Sequence, residues 1–143
     1  MNATLIARVL GILFIVIAIA GLLPWIAPAA PLDAPALALD TQYRILFGFL
    51  PVNALSDVAH LLFGLWGIVA GLRFKAAVIY CRSLTWICLV LVILGVIPIT
   101  NTVFGAVPVY GWNVAFHVLL VLVAAFGGYG RASIQVEAQA PPA

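Results

Sequence analysis

Apolar residues fill this chain in four long blocks, and polar residues gather in the short stretches between them. A membrane-spanning helix needs about 20 mostly apolar residues. Four segments meet that length, at about 5–23, 52–72, 82–97 and 112–128. The first stops at Pro24 and the third at Pro98, because proline breaks helix continuity. The second is closed by Gly71, Arg73 and Lys75, and Tyr80 and Cys81 extend the start of the third. The pattern predicts an all-α, integral membrane four-helix bundle, with one domain over 1–130 and a short tail over 131–143.

Between the first two spans lies a long loop with Pro28, Pro31 and Pro35. Its second half holds Ile45, Leu46, Phe47, Phe49 and Leu50, too apolar for a strand of chain in open water. That half is expected to lie at the interface or to cap the outer end of the bundle. Ala27 and Ala29 form a weak cleavage-site pattern after the first span. The first span has a counterpart later in the chain, so it is read as a retained helix.

That counterpart belongs to an internal repeat. Arg8, Leu10, Gly21 and Pro24 match Arg82, Leu84, Gly95 and Pro98 at a constant offset of 74 residues. Pro51, Val52, His60 and Gly71 match Pro108, Val109, His117 and Gly128 at an offset of 57. The chain therefore reads as two parallel repeats of a two-helix unit. Each unit has an even number of spans, so the copies share one orientation about an axis along the membrane normal.

Composition narrows the class. Of 143 residues, 66% are hydrophobic and only 7% are charged, and the mean hydropathy is +1.28. Ten charges do not cover the surface of a soluble globule of this size. Disorder needs low hydrophobicity and high net charge, the opposite of this chain. A net charge of +2 gives no electrostatic footprint for nucleic acid. Two cysteines, Cys81 and Cys88, lie seven residues apart on one helix, too far to bridge, and read as small core residues. Lys and Arg set the orientation. Arg8, Arg73, Lys75, Arg82 and Arg131 fall on one side of a four-span chain, and only Arg44 on the other. Both termini are thus expected in the cytoplasm. Trp25 and Trp112 stand at outer span ends, where the indole anchors among headgroups.

The two histidines of the chain, His60 and His117, are the repeat-equivalent pair. Each lies nine residues past its proline, roughly 13 Å into a core of about 30 Å. Ionisable groups at that depth face the bundle interior. Three readings are open. The rings are structural and hydrogen-bond across helices. Or they are axial ligands of a b-type haem or related pigment held between helices, with Ala59, Gly64 and Gly67 making room. Or they serve a lipid-headgroup or proton-linked site. Asp57 is three residues before His60 and so on the same face, placed to orient the ring. Arg44 is its expected cationic partner. Asn113, four residues before His117, is the uncharged counterpart.

Phe49, Leu50, Pro51, Val52 and Asn53, followed by Asp57 and the run from His60 to Gly67, resemble a bacterial four-span family, the domain of unknown function numbered 4383. Phe104, Gly105, Val107, Pro108 and the stretch Asn113 to His117 are similar to that family's second motif, in which an acid is expected where Asn113 stands. The resemblance covers about residues 5–128 and implies a four-helix inner-membrane protein with no assigned activity.

No phosphate loop, nucleophile elbow or zinc-protease motif is present in the sequence. No catalytic residue and no metal site is assigned. The leading expectation is a non-enzymatic membrane protein, an accessory or structural subunit that packs in the lipid bilayer against itself or a larger membrane complex. A haem or redox carrier on His60 and His117 is the first alternative, a small transporter the second.

Overall fold

The computed structural model describes residues 2–39, 42–130 and 133. Four helices dominate: α1 (Ala3–Gly21), α2 (Ala54–Ala70), α3 (Phe74–Val96) and α4 (Trp112–Tyr129). A two-stranded antiparallel hairpin, β1 (Arg44–Leu46) and β2 (Leu50–Val52), precedes α2. α1, α3 and α4 are each long and apolar enough to cross a membrane, and α2 is a shorter apolar helix of 17 residues.

Local chemistry accounts for the ends. Asn2 caps α1 by accepting from Thr4 N–H. Asn53 and Ser56 form a reciprocal capping box on α2, which satisfies two otherwise unpaired amides. α2 therefore starts at Ala54 rather than at 52, since Pro51 and Val52 belong to β2. α3 starts at Phe74, eight residues before the expected 82. Lys75 and Arg82 had marked a connection, yet both are good helix formers whose charged heads reach out along their stems. The link between α2 and α3 shrinks to Gly71, Leu72 and Arg73.

α1 packs on α2 and α3 on α4, each pair antiparallel, and α1 also touches α3 and α4. Arg8 Nε donates to Gly71 O at 3.0 Å, and Arg82 Nε donates to Gly128 O at 2.9 Å. These bonds cover carbonyls that the last turns of α2 and α4 leave unpaired. With Arg73 and Lys75 they mark the basic end of the bundle. Arg131 and the 134–143 part of the tail lie outside the described residues.

The main core draws on all four helices, through Ile6, Leu10, Phe14, Tyr80, Leu84 and Leu120 among others. Large apolar side chains also cover the outside of every helix, as lipid-facing surfaces require. A second cluster lies at the opposite, loop end, where Ile17 and Ala20 of α1 meet Ala27, Leu46, Leu50 and Val52. The apolar half of the first loop thus folds as a β-hairpin over the bundle. Leu46 and Leu50 point into it, and Phe47 and Phe49 point out. The all-α class holds, and the hairpin is a local pairing within the long outer loop. Its short apolar alternation reads equally as loop or strand until a partner strand pairs with it. The second loop joins the cap, with Ala38 N–H donating to Gly105 O at 2.9 Å.

Candidate functional site

His60 and His117 are the seventh residue of α2 and the sixth of α4, about two turns from the loop end in both helices. Both line one small cavity inside the bundle, with Phe14, Phe63, Leu84 and Cys88. The cavity measures about 70 Å³. The structure therefore brings the two histidines together, as their matching positions predict.

Their environments differ. His117 is buried, and its Nδ1 donates to Asn113 O at 2.7 Å. A carbonyl only accepts, so Nδ1 carries the proton and Nε2 is left as the acceptor. His60 is half-buried. Its ring stacks on Phe14 with centroids 5.6 Å apart and planes 19° apart. Its Nδ1 is enclosed without a hydrogen-bond partner.

Asn113 does not orient His117 with its side chain. Its Nδ2 donates to Pro108 O at 2.8 Å and to Pro51 O at 3.0 Å. The first bond ties α4 to the loop just before it. The second crosses from α4 to β2 and ties the two halves of the molecule. Asn53 makes a tie in the other direction, Nδ2 donating to Ala106 O at 2.7 Å. Neither proline carbonyl stood out in the sequence as an acceptor. Pro108, five residues before Asn113, was within local reach, but Pro51 is 62 residues away and only the fold brings it near.

Asp57 is buried and turns away from His60 toward the end of α1. A methyl group on Gly21 would lie 2.3 Å from Asp57 Oδ1, so the carboxyl occupies the space that glycine leaves. Oδ1 has no hydrogen-bond partner. Arg44 acts on Asp57 through its charge, but its Nη1 donates to Leu22 O at 3.1 Å. The expected pairing is thus an electrostatic one across the α1 terminus. The expected contact from Asp57 to His60 is absent, because the first turn of α2 packs on α1 there. In the sequence Gly21 stands out only as part of the repeat, and its role as a seat for Asp57 carries no sequence signal. A residue's own side chain signals chemistry, whereas this role consists of having none.

A family model described as a domain of unknown function, DUF4383, matches residues 4–129. The chain belongs to this family. No curated protein and no solved structure matches it. The DUF4383 match runs from the first turn of α1 to the last residue of α4, so it covers both histidines, Asp57 and Asn113.

Cofactor pockets hold roughly 300–1,000 Å³. A cavity of about 70 Å³ does not fit a porphyrin between His60 and His117 as the rings stand. Among the described residues, no three His, Cys, Asp or Glu converge as a metal ion requires.

Proposed function

We propose that this DUF4383 protein is a four-pass, non-enzymatic subunit of the bacterial inner membrane, with both termini in the cytoplasm. It acts by packing, against itself or within a larger membrane assembly. One observation carries this reading: the bundle's asparagine and arginine donors are spent on backbone carbonyls, while Asp57 Oδ1, His60 Nδ1 and the Tyr80 hydroxyl are the buried polar atoms without a partner among the described residues. Asn113 holds Pro51 and Pro108, Asn53 holds Ala106, Arg8 holds Gly71 and Arg82 holds Gly128. A group engaged in this way is not available to bind substrate or move protons.

Orientation is supported by Arg8, Arg73, Lys75 and Arg82 at one end and Arg44 at the other, the distribution that places basic loops inside. α2 rises about 25 Å over its length, and β2 continues the path toward the loop-end surface. Duplication of a two-helix unit is supported by the two arginine bonds, which match in donor atom, acceptor position and length.

Chemical crosslinking in native membranes, followed by mild extraction, tests the packing role. Discrete crosslinked species are expected. A solitary monomer under every extraction condition would sink the proposal. Accessibility labelling at cysteines introduced near positions 36 and 135 is expected to report opposite sides of the membrane. A reduced-minus-oxidised absorption spectrum without a Soret band is the expected result for the purified protein, and a band lost on His60→Ala would return the haem reading.

A further inference from the structure

At the loop end lies a second, larger cleft, separate from the histidine cavity, of about 450 Å³. This falls within the size of small-molecule sites. Three aromatic side chains line it, Phe49 from the hairpin, Tyr110 from the second loop and Trp112 from the start of α4. Asp33 is the one acidic side chain among the described residues of its wall, and none of those residues is a lysine or arginine. A carboxylate and the faces of aromatic rings both attract cations. The beginning of α4 closes one side at Gly111 and Trp112, and no side chain caps that helix. Asn113 and Val114 N–H turn back to Tyr110 O and Gly111 O, so it is the positive end of the helix dipole, at Gly111 and Trp112, that favours an anion there. The cleft thus offers a negative, aromatic wall beside a positive helix end, a pattern matched by a headgroup carrying both an ammonium and a phosphodiester.

The surroundings identify the source of that headgroup. Trp112 is 67% exposed, and it heads an exposed apolar stripe on α4 that continues through Leu119, Leu122 and Phe126. Residues at this spacing share one helix face. A ligand whose head fills the cleft would lay its hydrocarbon along that stripe. Phe47 and Phe49 are also exposed at the rim, at the level where aromatic side chains meet headgroups.

We propose that the Asp33–Trp112 cleft is a binding site for a zwitterionic phospholipid, with the ammonium between Asp33 and the aromatic rings and the phosphodiester at the start of α4. The site rests on the membrane reading but not on the packing role, and survives if that role fails.

The test uses the full chain in nanodiscs of equimolar phosphatidylethanolamine and phosphatidylglycerol with identical acyl chains. Retained lipids are counted by native mass spectrometry. The two lipids share a phosphodiester and differ in the ammonium, so the ratio reads the ammonium contact alone. Enrichment of the ethanolamine lipid by roughly tenfold is expected. Asp33→Asn and Trp112→Leu should each bring the ratio toward one, while Asp33→Glu should retain it. Thermal unfolding midpoints close to the parent's would show that the variants fold, and Asp33→Glu serves as a second check if Asp33→Asn does not. Equal retention of both lipids, or enrichment that persists in Asp33→Asn, would overturn the proposal. Binding of tetramethylammonium to the delipidated protein, strong enough to displace the retained lipid, would reassign the cleft to free organic cations and overturn the lipid assignment.

Discussion

Along the α1–α2 seam the two backbones nearly touch. A methyl on Gly11 would lie 2.8 Å from Gly64 O and from Ile68 N, and a methyl on Gly64 would lie 2.9 Å from Gly11 O. Along the α3–α4 seam, the positions offset by 74 and 57 residues hold Thr85 and Val121. At these positions the seam is filled by side chains, with Cys81, Leu84, Cys88, Leu120 and Ala124 in one cluster, and close backbone approach is confined to its end, where a methyl on Gly128 would lie 3.0 Å from Arg82 N. Thr85 is buried and turns its hydroxyl back to Cys81 O at 2.8 Å. The same order of elements thus tolerates two kinds of contact. In lipid, helix association draws on van der Waals packing rather than on a hydrophobic drive. Close backbone approach and interleaved side chains are two ways to reach the same packing density.

The loop ends of the hairpins differ in a parallel way. Gly21 faces the carboxyl of Asp57, whereas a methyl on Gly95 would lie 2.8 Å from Cγ2 of Val114 and 2.3 Å from Val109 O. One half buries an acid where the other places a half-buried valine. The polar ties also run unequally. Asn113 of the second half spans to Pro51 of the first, and Asn53 of the first half reaches Ala106 of the second. Such unequal ties fix how the two halves sit against each other, which a set of equal apolar contacts would leave less defined.

The seam comparison breaks most sharply at its closest contact. Gly11→Leu should destabilise by about 3 kcal/mol, since the obstructing atoms are backbone and cannot rotate away. Thr85→Ala in the other hairpin should cost about 1 kcal/mol or less, because its hydroxyl serves only its own helix. Reversible unfolding in bicelles measures both. Comparable losses would remove the distinction between the seams.

Asn113→Leu is the next largest, at about 2 kcal/mol, because it leaves the Pro51 and Pro108 carbonyls without their donor. The same unfolding assay checks it, and an unchanged midpoint would show that the tie between halves is idle. Gly21→Ala should cost about 1–2 kcal/mol by pushing on Asp57. In an Asp57→Ala background that cost should fall by about 1 kcal/mol, a coupling that a double-mutant cycle isolates. Strict additivity would mean that glycine is required there for another reason.

Arg8→Met and Arg82→Met sharpen the likeness rather than the difference. Each should cost about 1 kcal/mol, and the two should agree within about 0.5 kcal/mol, since each removes one bond to a helix-terminal carbonyl. The smallest effect belongs to the Tyr43–Tyr110 hydroxyl pair, which joins the two loops. Burial, and then the Tyr110 hydroxyl, hold the Tyr43 phenol above the usual tyrosine range. A phenol kept neutral in the folded state contributes stability below about pH 10, and that contribution is lost as pH rises beyond it. Tyr43→Phe should flatten this alkaline loss, read as the unfolding midpoint between pH 9 and 11.

The sequence by itself determined the helices, because a long apolar run in a chain with ten charges has few alternatives. It also placed His60 and His117 at matching turns of two helices, by their matched distances from Pro51 and Pro108, whereas that they line one cavity is a finding of the fold. Charge misled at α3, where Lys75 and Arg82 lie within the helix, because a long cationic side chain leaves the backbone free to remain helical. Only the tertiary structure decided where Asp57 and Asn113 point. Both lie on the faces of their helices that periodicity allowed, yet each is held by atoms that carry no sequence signal: the missing side chain of Gly21 and the main-chain carbonyls of Pro51 and Pro108. Backbone carbonyls are the same in every residue, so which one meets a buried amide depends on how elements distant in sequence are brought together.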